Sequence, residues 1–323
     1  MLRRILFLIL PVAVLLAACA PSAMTAPPPQ AVTEAAQPSL VQTRSAPIIL
    51  TDGLGRQVRL EASARRIVSL APSNTEILFA IGAGSQVVGR DELSDYPVGV
   101  SALQSVGGSM GNFSTEAIVA LKPDLVLAAE INSPELVKTL EGLGLTVYYL
   151  ANPTTLDGMF ANLKTVAELT GHVEETTTLI QTLKARVAVV DTKLAGNTEK
   201  PTVFYELDAT DVSKPFTAGP GTFIDLLIQR AGGINVASTL KDQYPQVSLE
   251  ELVVLNPDML LLSDAVYGET PEKVAARAGW GSLAAVKNGK LYPFDYHWLS
   301  IPGPRLVDGL EQLAKLLHPE LFK

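Results

Sequence analysis

The chain is poorly equipped for catalysis. Of its 323 residues, one is cysteine, three are histidine and two are tryptophan. A single cysteine, Cys19, excludes a disulfide framework, and its place near the N-terminus leaves no thiol nucleophile inside a folded domain. His172, His297 and His318 stand far apart, and no cluster has the spacing of metal ligands. No Gly-Lys-Ser/Thr phosphate loop occurs, and Gly82-Ala83-Gly84 ends a helical run instead of following a strand, so it is not a dinucleotide fingerprint. Charge is sparse and its balance negative, at a formal −8, which argues against nucleic acid as a partner. Beyond the first eighteen residues no apolar run is long enough to span a bilayer.

What is present begins with a targeting segment over residues 1–18. Arg3 and Arg4 precede an apolar run from Ile5 to Ala18 that leads to small residues. Leu16-Ala17-Ala18-Cys19 resembles a bacterial lipobox, which makes Cys19 the lipidated first residue of the mature chain. Removing residues 1–18 takes away two cations and no acid and moves the formal charge to −10. Residues 19–46 are rich in Ala, Pro, Ser, Thr and Gln, the composition of a flexible tether. The expected location is the cell envelope, exported and held to a membrane by lipid.

A phrase then occurs twice. Residues 114–130 read STEAIVALKPDLVLAAE and residues 248–264 read SLEELVVLNPDMLLLSD, with seven of seventeen positions identical. Each copy reads as helix start, short helix, Pro-Asp turn and buried strand. Two copies 134 residues apart predict two similar lobes, not a solenoid. Short apolar strands alternate with helical runs over 47–153 and again over 199–323, so each lobe is expected to be α/β with a parallel sheet. Between them, residues 154–198 carry apolar side chains at three-and-four spacing, broken at Gly171, and predict a long helix over about 172–195. Hinged lobes are usually crossed by two or three extended strands, whereas one helix gives a rigid backbone. Clefts between lobes are where ligands bind.

Five strings occur in a fixed order: Arg66-Ile-Val-Ser-Leu-Ala-Pro-Ser-Asn-Thr-Glu76, Ser94-Asp-Tyr-Pro97, Lys122-Pro-Asp-Leu-Val126, Pro215-Phe-Thr-Ala-Gly219 and Tyr244-Pro-Gln-Val-Ser248. Together they resemble the substrate-binding proteins of iron-siderophore, haem and cobalamin ABC importers over roughly residues 48–323, with the family's Fe/B12-binding domain expected over about 66–323. They are most similar to the cobalamin-binding branch. The resemblance implies the class III periplasmic binding protein fold, two α/β lobes with parallel sheets on one rigid helix. It implies a corrinoid or iron-chelate ligand in the cleft, an ABC permease dimer with its ATPase as partner, and neither enzyme activity nor cofactor. The branch usually has Trp where this chain has Tyr244, and another Trp where this chain reads Gly107-Gly-Ser-Met-Gly-Asn-Phe113.

By position in that resemblance, Tyr96, Phe216 and Tyr244 would line the cleft and Asp295 would make a polar ligand contact. With Tyr296 and Trp298 they fall beyond predicted strand ends, where open α/β sheets bind ligands. Aromatic area suits a corrin or porphyrin, although each ring could equally pack on its own lobe. Ser73 and Asn74 stand at a helix start facing the cleft, where amides favour polar groups; Ser73 with Glu76 also spells a capping box. His297 could ligate haem iron or serve as a hydrogen-bonded loop residue. Arg305 opens a helix, where a cation opposes the dipole. It needs a partner: a ligand carboxylate or amide, Asp295, or another internal acid. Glu116 and Glu250, matched by the repeat, would complement helix dipoles, and the resemblance adds docking on the permease.

Overall fold

The computed structural model describes residues 46–323; the expected leader, Cys19 and the tether before residue 46 lie outside the described residues. A hairpin comes first, β1 (Ile48–Thr51) antiparallel to β2 (Gln57–Leu60). Asp52 shapes its turn by accepting the amides of Leu54 and Arg56, both at 3.0 Å. The first lobe follows as β3 (Ile67–Ser69), α1 (Pro72–Ala80), β4 (Val87–Arg90), α2 (Thr115–Ala120), β5 (Leu125–Ala129), α3 (Pro134–Gly142) and β6 (Val147–Leu150). Its sheet runs β4-β3-β5-β6, every pair parallel. All residues of β5 and β6 are buried, as expected where helices cover both faces of a parallel sheet.

Two helices lead onward, α4 (Leu156–Thr170) and α5 (Val173–Leu194). Gly171 separates them with φ at 83°, a left-handed cap that a residue with a Cβ would occupy under strain. The second lobe holds β7 (Thr202–Asp208), β8 (Phe216–Thr217), α6 (Phe223–Arg230), β9 (Ile234–Asn235), α7 (Leu249–Leu255), β10 (Met259–Leu262), α8 (Pro271–Ala275), α9 (Ala284–Lys287), β11 (Leu291–Pro293), α10 (His297–Ser300) and α11 (Leu306–Leu317). Strands β9, β7, β10 and β11 pair in parallel and repeat the order of the first sheet. The sheet is parallel as expected, with one antiparallel addition: β8 joins the far end of β7.

The duplicated phrase is a structural unit. Ser114 caps α2 by accepting the Ala117 amide at 3.2 Å, and Ser248 caps α7 by accepting the Glu251 amide at 3.1 Å. The Pro-Asp turn then clamps the neighbouring strand. Asp124 accepts the amides of Arg65 and Arg66 just before β3, and Asp258 accepts the amide and hydroxyl of Thr202 at the start of β7. Each acid fixes the register of a central strand pair, so the repeat preserves both the cap and the clamp.

Helix α5 is continuous and packed on both sides. Its Ile180, Leu183, Val187 and Val190 join one apolar cluster with Ile67 and Leu125 of the first lobe and Val203 and Leu310 of the second. Arg186 bonds Asp308 at 2.6 Å and Glu311 at 2.8 Å on α11, and Arg230 of α6 bonds Asp191 at 2.8 Å. A helix held this way bends little, because hinge motion would break a shared core. Two similar α/β lobes on one rigid helix is the fold.

The capping box expected at Ser73 and Glu76 does not form. Pro72 occupies the first helical position and moves the cap to Ala71, which leaves Ser73 inside α1. Freed from the cap, Glu76 turns inward.

Candidate functional site

Strand C-terminal ends of both lobes face one cleft, and its floor is closed by bonds between the lobes. Glu76 of α1 receives a two-point bond from Arg305, which stands just before α11. Nε lies 3.0 Å from Oε2, and Nη2 meets Oε1. The same guanidinium lies 4.1 Å from the ring centre of Tyr96, a first-lobe residue. Beside this unit, His297 Nδ1 is 2.6 Å from Asp295, and Nε2 is 3.3 Å from Asp95 of the opposite lobe without the alignment of a hydrogen bond. Sequence reading offered Arg305 several partners; Glu76 is the one it has.

Above the floor each lobe presents an apolar concavity. On the first lobe, Pro72, Leu93, Met110, Phe113 and Ile131 line a space of about 210 Å³ with Asp91 and Asn132. Met110 is 97% exposed and holds φ at 51°, a left-handed conformation that side chains rarely adopt. On the second lobe, Val266, Phe294, Asp295, His297 and Trp298 line about 530 Å³. Trp298 meets Phe294 edge to face at 5.6 Å, which fixes its ring. Phe216 and Tyr244 are exposed at the rim of the second lobe, joined through the Phe216–Gln246 bridge. Partial desolvation of its hydroxyl raises the Tyr244 phenol above its usual range although the residue as a whole is exposed, and Glu130 of the first lobe adds to the shift.

Two further arginines, Arg277 and Arg90, are already engaged. Arg277 bonds Glu206 at 2.6 and 2.9 Å and Glu269 at 3.0 Å, with its guanidinium 4.4 Å from the Trp280 ring centre. Burial, reinforced by neighbouring Asp264, pushes the Glu206 carboxyl up to about 7 against the pull of Arg277. Arg90 donates to the carbonyls of Asp91, Glu92 and Val100. Burial also lifts the Glu76 carboxyl above its ordinary range, and Arg305 offsets this only in part. Asp95 and Asp295 stay substantially exposed, so the mouth is acidic.

Of the residues expected at the site, Tyr96 and Arg305 come together at the floor, Asp295 and Trp298 line the second-lobe concavity, and Phe216 and Tyr244 are exposed at the rim. Asn74 does not join them. It has no exposed surface and donates to the Leu127 carbonyl at 2.9 Å, so it ties α1 to β5. Ser73 is likewise buried. His297 Nδ1 is taken by Asp295, and its Nε2, 3.3 Å from Asp95, is buried without a hydrogen-bond partner. Glu116 and Glu250 are exposed in the first turns of α2 and α7, one per lobe. Leu93, Met110, Ile131 and Tyr267 escaped the sequence reading. Leu93, Ile131 and Tyr267 lie just beyond strand C-terminal ends, and an exposed apolar residue at that place was the usable signal. Gly107-Gly-Ser-Met-Gly111 has the spelling of a nucleophile elbow, but Ser109 sits on an exposed loop and not on a strand-to-helix turn.

Residues 67–296 match the model of the periplasmic binding protein family. An ABC transporter substrate-binding lipoprotein of Bacillus subtilis, YvrC, is 31% identical over 288 residues, covering 87% of this chain and 89% of that one. The crystal structure of the periplasmic vitamin B12 binding protein BtuF of Vibrio cholerae matches at 30% identity with a TM-score of 0.68, over 80% of this chain and 98% of that one. The periplasmic heme-binding protein RhuT of Roseiflexus matches at 28% with a TM-score of 0.72, over 80% and 100%. Lobes, bridging helix and sequence therefore agree that this chain belongs to the periplasmic binding protein family, as an ABC transporter substrate-binding protein and not an enzyme.

Proposed function

We propose that the chain captures a corrinoid in the interlobe cleft and delivers it to a membrane permease. The carrying observation is the pairing of aromatic and apolar walls with a floor whose cation, Arg305, is already neutralised by Glu76. A cobalamin-like ligand is a broad macrocycle rimmed by neutral amides. It needs flat area and polar contacts, not a free cation. Tyr96, Tyr244, Phe216 and Trp298 supply the area, and Asp295 and Asp95 supply acceptors for amide N–H groups. Similarity to the vitamin B12 binding protein supports this ligand. Similarity to the heme-binding protein supports haem as the runner-up, and a ferric siderophore is the third candidate.

Replacing Tyr96 or Tyr244 with Ala should each weaken cobalamin binding by about 0.5–2 kcal/mol, read by calorimetry on the purified chain. Unchanged affinity in both variants would move the ligand away from this cleft.

Delivery needs an anchor and a dock. We assign the anchor to lipid on Cys19, in keeping with the lipoprotein YvrC. Cys19→Ala should release the protein from membranes and abolish acyl labelling; unchanged fractionation would reject the anchor. We assign the dock to Glu116 and Glu250, which the repeat sets at equivalent places on the two lobes.

A further inference from the structure

We propose that Glu76 is a specificity determinant, a buried carboxylate that masks Arg305 and so keeps acidic macrocycles out of the cleft. The inference deepens the reading of the cleft as a site for a neutral macrocycle and rests on it. Glu76 is almost fully buried, Arg305 is partly so, and the two come from different lobes. A buried ion pair is a weak source of stability, because desolvation consumes most of the attraction. Apolar residues at both positions would serve stability as well, so stability alone does not account for the pair.

The pair does change what the cleft offers. Arg305 brings a guanidinium against Tyr96, which belongs to the proposed ligand surface. Without Glu76 that guanidinium would be a desolvated cation with strong demand for an anion, the arrangement that binds carboxylates most tightly. It is not sealed away, since 13% of the Arg305 side chain stays exposed; the space of about 170 Å³ that Glu76, Tyr96 and Arg305 border lies against Leu179, Leu183 and Arg186 of α5 and Asp308 of α11. Glu76 occupies Nε and Nη2, the fork that a ligand carboxylate would otherwise take. An acidic ligand must therefore displace an internal carboxylate or leave its own charge unpaired, and either course costs affinity.

The test compares two ligands with the same macrocycle, protoporphyrin and its dimethyl ester, in which the two propionate charges are replaced by methyl esters, on the full-length protein in detergent. In the wild type the diacid should bind no better than the diester. In Glu76→Gln the diacid-to-diester affinity ratio should rise by about tenfold to a hundredfold. The double variant Glu76→Gln/Arg305→Gln should return the ratio to the wild-type value. A ratio that does not move in Glu76→Gln, or that stays raised in the double variant, overturns the proposal. Should Glu76→Gln not fold, Glu76→Asp withdraws the carboxylate from the guanidinium; a partial rise supports the proposal and none overturns it. A wild type that binds no cobalamin would reject the ligand reading alone, because the mask is read from the ratio between variants.

Discussion

Arg277→Met should destabilise the second lobe by about 3–5 kcal/mol at pH 7.5, of which about 1 kcal/mol is relieved at pH 5.5, where Glu206 holds its proton with or without the arginine. Arg277 is the cation facing Glu206, whose side chain has no exposed surface. Removing it strands a carboxylate at the end of β7, with Asp264 and Glu269 close by. Even in the wild type, burial holds the Glu206 carboxyl up to about 7, above the ordinary glutamate range. Between that range and about 7 the folded state keeps a proton that the unfolded chain releases, so this contribution to stability falls as pH rises through the window. Without Arg277 the window widens upward, and acid relieves the variant by neutralising Glu206. Urea midpoints at the two pH values check this, and Glu206→Gln in the Arg277→Met background should remove most of the pH dependence. Equal losses at both pH values would show that the cost lies elsewhere, for example in the lost stacking of Arg277 on Trp280.

The second large effect is expected at the dock. Changing both Glu116 and Glu250 to Ala should leave ligand affinity intact while slowing transport by about tenfold or more at low salt, with the loss shrinking as salt rises. Both are exposed, and their serine caps are made by other side chains, so the fold does not depend on them. Each stands one turn before an exposed valine, Val119 or Val253, so the two lobes present like patches to a partner built of like subunits. Uptake of labelled ligand into vesicles carrying the permease is the assay. Unimpaired uptake would place docking elsewhere, and lost ligand binding would make the acids structural.

The architecture was legible because its signals are local. The duplicated phrase became α2-β5 and α7-β10, and the three-and-four spacing broken at Gly171 became α4 and α5. The site was legible only in part. Glu76 looked like a cap because its role depends on Arg305, 229 residues away, and because Pro72 had already shifted the helix start. Asn74 looked accessible because nothing near it in sequence shows that Leu127 claims its amide. Strand β8 has two residues, too few for a period, and exists because the end of β7 offers it an edge. Pairings across the fold decide all three, and local sequence does not carry them.

The central claim is that the cleft takes a neutral macrocycle. Its most direct test is competitive titration of the purified chain with cobalamin, haemin and ferric siderophores under one set of conditions. Cobalamin binding tightly, with the anionic chelates at least about tenfold weaker, is the predicted result. Tight binding of haemin or a ferric siderophore, with none of cobalamin, would contradict it.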